Sequence, residues 1–424
     1  MHHQKFDAGD RAFAAHLFDE VRAMSATREG VTREGYSDKE ASVLEFLTAE
    51  GRKLGLEPET DAAGNVWLVK PGRDRSLPAF VAGSHVDSVP EGGNFDGLAG
   101  VVAGLVCAHH WHAAGVEFER DYRVLMLRCE ESSFYGKAYV GSLGMMGRLG
   151  EKEFALKHRT TGGTLAEALH SQGVDPAAVS TGRPVIDVER IAAFVELHIE
   201  QGPMLDASET VRTGLVTGIR GNIRHKAVKC LGVAAHSGAV DKAYRHDALM
   251  ATAELVHRME ERWQERLDAG DDLVFTVGVL KLADTAAISV IPGEVTFSVD
   301  MRSLSLETCR AFEAEMREAA GEIAARRGVS FEFDAPLVTE PGLVSKAVFE
   351  RLEKAAADEG VPVRAMASGA GHDTAVLSAA GIPAAMIFVA NQNGSHNPRE
   401  AMKLDDFMTG AEVLRRAVEN FDLA

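Results

Sequence analysis

The chain has 424 residues, of which 46% are hydrophobic and 25% are charged, and its formal net charge is −18. This length exceeds one ordinary hydrophobic core, so we expect two domains or one large domain carrying an insert. The acidity argues against a nucleic acid partner, because binding to phosphates needs clustered lysine and arginine side chains.

Cysteine usage and the N-terminus predict a cellular compartment. The four cysteines lie far apart and include no Cys-x-x-Cys pair, which argues against a disulfide framework and against a cysteine-based zinc site. The N-terminal segment MHHQKFDAGDR lacks the apolar core of a signal peptide. The longest apolar stretch, 98–108, is too short to span a bilayer. We therefore predict a cytoplasmic protein with no membrane partner.

The predicted elements of the first half alternate between helix and strand. Residues 10–55 carry apolar positions at helical spacing. Short apolar runs at 65–69 and 79–83 indicate strands, a helix of small residues begins near Leu98, and 122–128 is a further buried strand. Such alternation predicts an α/β fold with a mostly parallel sheet that helices cover on both faces.

The pattern changes near Val211. From there the order is strand–helix–strand–strand–helix–strand, which indicates a ferredoxin-like α+β insert. The strand-like runs are 227–233, 276–282 and 295–301, and the helical patterns are 245–268 and 306–327. After the insert the α/β pattern resumes with a helix at 343–358, a strand at 384–389 and a helix at 404–420. We place the insert at 212–329, so that 1–211 and 330–424 form the other domain.

Five short segments place side chains of metal-ligand type at predicted strand ends or in glycine-rich loops, where open α/β sheets carry their active sites. An imidazole followed two residues later by a carboxylate, as in His85 and Asp87, can bind an ion while the carboxylate orients the ring. Asp96, in a glycine loop, can bridge two ions. Of the adjacent Glu130 and Glu131, one can coordinate an ion while the other acts as a base.

The remaining two segments contain His198 and His396. Each segment alone is weak evidence, because a histidine is more often a surface or core residue and an aspartate in a glycine turn usually serves the turn. The occurrence of all five in one chain, each at a strand edge or loop, favours a metal site.

Together these segments resemble the hydantoinase/carbamoylase family of amidases, which includes N-carbamoyl-L-amino-acid hydrolases, β-ureidopropionases and allantoate amidohydrolases. The resemblance covers nearly the whole chain. It rests on GSHVDSVPEGGNFDGLAGV, the pair Glu130-Glu131, ELHIEQGP, SGAGHDT and GSHNP. The family lies within the aminoacylase and carboxypeptidase-G-type dinuclear metallohydrolases, so the resemblance implies a zinc-exopeptidase-like catalytic domain with an inserted lid and dimerisation domain.

The resemblance also implies two divalent metal ions per subunit, with Asp96 as the bridging ligand. The first ion would be held by His85, Asp96 and His198, and the second by Asp96, Glu131 and His396. Imidazoles and carboxylates suit zinc, and also manganese, cobalt or nickel. Asp87 would support His85. Glu130 would be the catalytic base, taking a proton from water and giving it to the leaving nitrogen.

For the substrate, the resemblance implies a small molecule with a carboxylate that Arg302 can hold bidentately. His236 would stabilise the oxyanion in the site of a neighbouring subunit, which requires at least a homodimer. The alternative for His236 is a turn histidine before Gly238. The other implied substrate-binding positions are Gln201, Asn222, Ser289, Gly369, Ala370 and His372.

Three segments depart from the family pattern. Ser289 stands where the family usually has an asparagine that contacts the substrate, residues 239–244 differ from the usual loop, and 132–135 lack the usual arginine. The residues assigned to the metal ions are untouched, but the identity of the substrate is left open.

We predict hydrolysis of the linear C–N amide or ureido bond of an N-carbamoyl amino acid, or a similar N-substituted amino acid, with release of the amino acid. The alternatives are an N-acyl amino acid or dipeptide-like substrate, against which His198 argues because the related peptidases use a carboxylate there, and a ureido acid of the allantoate or ureidoglycolate type. A non-catalytic metal-binding or scaffold protein is disfavoured by the retention of all five ligand candidates together with Glu130.

Overall fold

The computed structural model describes residues 4–422, so the first three residues of the N-terminal segment lie outside it. The helices are α1 (Ala8–Ser25), α2 (Asp38–Lys53), α3 (Leu98–Ala114), α4 (Val140–Met145), α5 (Glu151–Phe154), α6 (Leu165–Ser171), α7 (Ala248–Asp268), α8 (Leu306–Arg327), α9 (Lys346–Glu359), α10 (Asp373–Ala379) and α11 (Leu404–Asp422). None of the helices within the described range has the length and apolar character needed to cross a membrane.

The strands alternate with these helices along the chain. They are β1 (Glu57–Thr60), β2 (Val66–Lys70), β3 (Ala79–His85), β4 (Tyr122–Leu127), β5 (Ile191–Ile199), β6 (Thr213–Ile219), β7 (Gly221–Leu231), β8 (Ala235–His236), β9 (Val274–Thr276), β10 (Leu280–Leu282), β11 (Val290–Ile291), β12 (Glu294–Ser303), β13 (Ser330–Glu332), β14 (Leu337–Thr339), β15 (Gly342–Leu343), β16 (Val363–Ser368) and β17 (Ala384–Val389).

Local chemistry explains where the first helices begin and end. Helix α1 begins after Asp7, whose side chain accepts hydrogen bonds from the backbone N–H groups of Gly9 and Asp10. These are two of the donors that a helix start leaves unpaired. Helix α3 is buried along most of its length and ends at Gly115, whose φ of +64° glycine adopts without strain.

The chain divides into two units, one formed by the residues up to Thr217 and from Leu343 onward, the other by Gly218–Gly342. The first unit contains a nine-stranded sheet with the order β1-β2-β4-β3-β5-β17-β6-β15, and β16 pairs with β6. Strands β4, β3, β5 and β17 run parallel to one another. Strand β2 is antiparallel to β4, and β6 to β17. The predicted parallel α/β sheet is thus confirmed at its centre, whereas these flanking strands are antiparallel.

Both faces of this sheet are covered. Successive side chains of a strand point to opposite faces, and along β3 Phe80 and Ala82 pack into one hydrophobic core while Ala79 and Val81 pack into a second. The four central strands are therefore buried on both sides. Their carboxyl ends lie at one edge of the sheet, where polar side chains can meet.

The second unit contains a six-stranded sheet with the order β10-β12-β7-β13, to which β9 and β14 add by pairing with β12 and β7. Helices α7 and α8 share a hydrophobic core with it. The run predicted as one strand at 276–282 forms two short strands, β9 and β10. The unit also extends beyond the predicted boundary at 329, because β13 and β14 both pair with β7. Its role as a lid or dimerisation domain stays a prediction.

Candidate metal centre

Imidazole and carboxylate side chains meet at the carboxyl edge of the parallel strands. His85 ends β3, His198 is the penultimate residue of β5, and Glu131 follows the end of β4 by four residues. Asp96 precedes α3, and His396 lies in the loop after β17. They form two groups of possible ligands, His85 with Asp96 and His198, and Asp96 with Glu131 and His396. The two groups share Asp96.

The two carboxylate oxygens of Asp96 face different groups. Oδ1 lies 3.0 Å from Nε2 of His198 and 3.5 Å from Nε2 of His85. Oδ2 lies 3.4 Å from Nε2 of His396, which in turn is 3.1 Å from Oε1 of Glu131. Ligand atoms that bind one tetrahedral zinc ion at roughly 2.0–2.1 Å are roughly 3.3 Å apart. Each group therefore has the spacing to hold an ion, with Asp96 between them.

The orientation of the two buried imidazoles also fits a cation. Nδ1 of His85 lies 3.1 Å from the carbonyl oxygen of Asp87, and Nδ1 of His198 lies 2.8 Å from that of Ile199. Because a carbonyl only accepts, each Nδ1 carries a hydrogen, so in the neutral ring Nε2 is the nitrogen that can bind a metal ion. The backbone N–H of Gly97 donates to Nε2 of His198 at 3.2 Å, as expected for an acceptor. Both Nε2 atoms face a carboxylate oxygen, an arrangement that a metal ion would stabilise.

Asp87 holds three parts of the site in place. Its Oδ1 accepts the backbone N–H of Glu130 at 2.9 Å and its Oδ2 accepts that of Glu131 at 3.0 Å. Oδ1 also lies 3.3 Å from Nδ1 of His85. One buried carboxylate thus orients an imidazole and fixes the backbone of both glutamates.

The crowding of carboxylates creates a need for positive charge. Burial raises the pKa of Glu130 well above its ordinary value, and although His85 lowers it, the charges of Glu131, Asp373 and Asp87 add to the rise. Burial is also the largest cause that raises the pKa of Glu131. Buried carboxylates are costly unless cations compensate them. Nitrogen and oxygen donors without a thiolate fit zinc and the other divalent transition ions.

Three residues beside the cluster have a left-handed backbone, which side chains other than glycine rarely adopt. Their φ values are +50° for Cys129, +62° for Gln201 and +59° for His396. Each such conformation costs roughly 1–3 kcal/mol and persists where the surrounding structure imposes it, often at functional sites. The side chain of Gln201 reaches the cluster, donating from Nε2 to Oδ2 of Asp96 at 2.8 Å.

Arg33, which no sequence motif indicated, is fully buried beneath the two ligand-bearing loops. Its Nε donates to the carbonyl oxygen of Val86 at 2.7 Å and its Nη1 to Oδ1 of Asn94 at 3.0 Å. Burial lowers the pKa of Arg33 to about 10, against the raising effect of nearby carboxylates, so it stays cationic at neutral pH. It lies in a segment, GVTREGYS, that carries no metal-ligand pattern.

Glu400 was also missed, although it follows the GSHNP segment by two residues. Its Oε1 accepts the backbone N–H groups of Phe95 at 2.9 Å and Asp96 at 3.2 Å. Its Oε2 lies 2.5 Å from Oγ of Ser395, which is itself 2.5 Å from Oδ2 of Asp96. Glu400 therefore ties the loop of the bridging carboxylate to the loop of His396.

His372 and Glu196 lie against His198. The rings of His372 and His198 meet edge to face at 4.5 Å, and burial lowers the pKa of His372 well below its ordinary value, so this imidazole is neutral. Glu196, His198 and His372 form a third group of possible ligands. Glu196, however, already accepts from Oγ of Ser84 and from Oγ1 of Thr374, both at 2.6 Å. The two groups that share Asp96 therefore fit an ion better.

The loop before His372 contains the predicted substrate contacts Gly369 and Ala370. Oγ of Ser368 donates to the carbonyl oxygen of Ala370 at 2.8 Å and lies 2.9 Å from Nε2 of His372. This serine therefore holds the loop against the imidazole.

Two other predicted substrate residues lie opposite each other in the second unit. Asn222 on β7 pairs in register with Arg302 on β12. Oδ1 of Asn222 is buried and has no hydrogen-bond partner among the described residues. Nη2 of Arg302 lies 2.8 Å from Oδ2 of Asp300. An amide acceptor and a guanidinium thus lie on neighbouring strands.

His236 and Ser289 also lie in the second unit. His236 ends β8, and Ser289 directly precedes β11. His236 pairs in register with Val290 and is exposed, and its Nδ1 accepts the backbone N–H of Gly238 at 3.1 Å. The carbonyl oxygen of Ser289 accepts the N–H of Ser237 at 2.9 Å. The β8–β11 pairing therefore brings these two residues together.

Known proteins match this chain over most of its length. The model of peptidase family M20/M25/M40 matches residues 81–420. The N-carbamoyl-L-amino acid amidohydrolase of Geobacillus stearothermophilus is 34% identical over 92% of this chain and 93% of its own. The ureidoglycolate hydrolase of Oryza sativa subsp. japonica is 32% identical over 93% of this chain and 81% of its own. The crystal structure of a hydantoinase/carbamoylase family amidase from Burkholderia multivorans superposes with a TM-score of 0.88, at 30% identity and 99% coverage of both chains.

Proposed function

The chain belongs to peptidase family M20/M25/M40 and to its hydantoinase/carbamoylase amidases, and from this premise we propose that it is a two-metal hydrolase of N-carbamoyl amino acids or similar N-substituted amino acids. Its relatives over nearly the full length are named amidohydrolases, so it is a hydrolase of C–N bonds in linear amides.

The observation that carries the proposal is the position of Asp96. One of its oxygens faces His85 and His198, and the other faces His396 next to Glu131. This supports two ions per subunit with Asp96 as the bridge, and zinc is the first metal to test, followed by manganese, cobalt and nickel. Bound there, the ions would supply Lewis-acid polarisation of water and of the substrate carbonyl.

The protein's own residues would carry the proton and the charge. Glu130 is adjacent to the ligand Glu131 and is fixed through its backbone by Asp87. A carboxylate in that position can take a proton from the attacking water and return it to the leaving nitrogen. His236 would donate to the oxyanion in the site of a second copy of the chain, and Arg302 would hold the substrate carboxylate.

A second candidate substrate class is a ureido acid such as ureidoglycolate or allantoate. Two relatives of this chain favour it, the ureidoglycolate hydrolase of Oryza sativa subsp. japonica and the allantoate amidohydrolase of Bacillus subtilis, at 32% and 30% identity. Ser289 is one position where the pocket departs from the carbamoylase pattern. A panel of carbamoyl, formyl and acetyl amino acids, β-ureidopropionate, allantoate and ureidoglycolate, read by ammonia release and mass change, separates the classes.

The role of Glu130 is tested by Glu130→Gln. The variant should keep its metal content and melting temperature while kcat falls about 10²–10⁴-fold, because it cannot transfer the proton. Glu151→Gln, on the exposed start of α5, is the matched control and should retain full turnover. Near-normal kcat in Glu130→Gln would exclude it as the base. A gently purified wild type that never holds close to two ions per chain would contradict the two-metal site.

The cross-subunit role of His236 is tested by His236→Ala. Turnover should fall about 10²–10³-fold, as when an oxyanion donor is removed, while sedimentation still reports a dimer. Mixing this variant with Glu130→Gln should restore part of the activity, since some mixed dimers would contain one intact site. His257→Ala, which removes an exposed histidine of α7, should change nothing. A mixture that stays inactive counts against donation across the interface.

A further inference from the structure

The loop that follows Glu131 returns to its own starting point. The N–H of Tyr139 donates to the carbonyl oxygen of Glu130 at 2.8 Å, and the N–H of Val140 to that of Cys129 at 2.9 Å. The loop therefore closes at the pair of glutamates. Its first residue, Ser132, has its Cα about 3.8 Å from that of Glu131.

A cavity of about 510 Å³ lies against this loop and is lined by residues 132–136 together with Lys157 and Arg159. We call it the loop pocket. Its lining contains two cations and two serine hydroxyls but no carboxylate. Three other cavities of the described chain each include at least one aspartate or glutamate in their lining. In a protein with a net charge of −18, this pocket is a local site of positive charge.

The two cations are available to a ligand. Neither Lys157 nor Arg159 forms an ion pair within residues 4–422, and both are exposed. His158 between them is buried, with its ring stacked on Phe134 at 5.4 Å and its Nε2 2.8 Å from a carboxylate oxygen of Glu34. Lys157 and Arg159 on either side of the buried His158 are both exposed, so both cations face outward.

The backbone of this segment is also held. The N–H of Arg159 donates to the carbonyl oxygen of Phe134 at 2.8 Å, and Nδ1 of His158 accepts the N–H of Thr161 at 3.0 Å. Lys157 forms an antiparallel bridge with Thr164. The backbone that carries both cations is therefore held beside the loop before any ligand binds, which lowers the cost of binding.

We propose that the loop pocket binds an anionic group of the substrate, so that the preferred substrate carries a second carboxylate on its side chain. This inference rests on the proposed function, because it places the reacting bond near Glu131, one residue from the pocket. Hydrogen bonds from a guanidinium and an ammonium to a carboxylate are charge-assisted and stronger than neutral ones. The serine hydroxyls can donate to the same group.

The test compares two substrates of nearly the same shape, N-carbamoyl-L-aspartate and N-carbamoyl-L-asparagine. Metal-loaded wild type should prefer the aspartate by about tenfold to a hundredfold in kcat/KM, as expected for one or two hydrogen bonds to a charged group. The double variant Lys157→Gln/Arg159→Gln should lose this preference through KM, with kcat nearly unchanged. The matched control Arg52→Gln/Lys152→Gln removes the same charge from exposed positions and should keep the preference.

Binding of succinate, measured by calorimetry on the same proteins at equal metal content, separates the pocket from the reaction. Loss of succinate binding in the double variant alone supports the loop pocket, even if neither carbamoyl substrate is cut and the proposed function fails. A wild type that hydrolyses both substrates with equal kcat/KM overturns the proposal. So does a double variant that keeps the preference for aspartate, or one that binds succinate as wild type does.

Discussion

Two groups of the first unit each combine one buried aspartate with two or more histidines. Asp10 on α1 meets His109 and His110 on α3, with Nδ1 atoms 2.7 Å and 2.8 Å from its two oxygens. Asp96 meets Nε2 atoms of three histidines at 3.0–3.5 Å. The same residue types are used in both places.

The difference lies in the spacing and in what each nitrogen offers. At Asp10 each carboxylate oxygen takes one imidazole at ordinary hydrogen-bond length, so the group is satisfied internally and connects two helices. At Asp96 the contacts reach 3.5 Å, Nε2 atoms of His85 and His198 face one oxygen, and the other oxygen faces His396. Distance and the placing of the two oxygens, rather than composition, therefore distinguish a structural cluster from a candidate metal site.

Replacing each of the two aspartates by asparagine should produce the largest difference in turnover and metal content. Asp96→Asn should lower kcat/KM at least about a thousandfold and reduce the bound metal, because an amide cannot bridge two cations and the Lewis-acid contribution amounts to several kcal/mol. Asp10→Asn should keep metal content and turnover close to wild type. Elemental analysis and steady-state kinetics measure both. An Asp96→Asn enzyme with full metal and full rate would refute the bridging assignment.

A second contrast uses two buried arginines. Arg33 contacts both ligand-bearing loops, whereas Arg415 pairs with Glu412 and Glu419 at 2.6 Å on α11. Arg33→Met should cost about 3–5 kcal/mol of unfolding free energy and weaken metal binding about tenfold to a hundredfold, as expected for loss of an outer-shell partner.

Arg415→Met is the matched control for that change. It should lose comparable stability, because it leaves buried glutamates unpaired, but its metal affinity should equal that of wild type. Chemical denaturation gives the stability and a chelator-buffered metal titration gives the affinity. Equal weakening of metal binding in both variants would show that Arg33 acts only through general stability.

The smallest expected effect concerns the pH dependence of the Asp10 cluster. The hydrogen bond between His110 and Asp10 raises the pKa of His110. Burial would raise the pKa of Asp10, but hydrogen bonds, among them the one from His110, lower it below its ordinary value. The stabilisation that protonated His110 adds to the folded state is fully present below pH 6.5 and is lost as the pH rises through its raised pKa. The stabilisation that ionised Asp10 adds to the folded state is present above pH 3.8 and is lost as the pH falls through its lowered pKa.

His110→Gln should therefore destabilise the protein by roughly 1–2 kcal/mol between about pH 4 and 6.5, and by less at pH 9. His257→Gln, at an exposed pair with Glu261, should show no such dependence. Urea denaturation of both variants across this range measures the difference from wild type. A loss in His110→Gln that stays constant with pH would contradict the titration.

Much of the fold could be predicted because hydrophobic periodicity is local. Helix 306–327 and strand 384–389 have the same bounds in the structure as in the sequence analysis. The prediction of one strand at 276–282 was wrong, because β9 and β10 are separate strands that pair with different parts of β12. Strand direction at the sheet edges, too, depends on distant pairing partners that no local pattern contains.

The same division holds for the site. The sequence by itself determined the types of the ligand residues and their positions at strand ends, since a motif keeps its chemistry in one segment. Only the tertiary structure decided that the two oxygens of Asp96 face different ligand groups, that Arg33 lies beneath both loops, and that Glu400 hydrogen-bonds to a backbone 305 positions away. These are distances between segments far apart in the chain, and only packing brings such segments together.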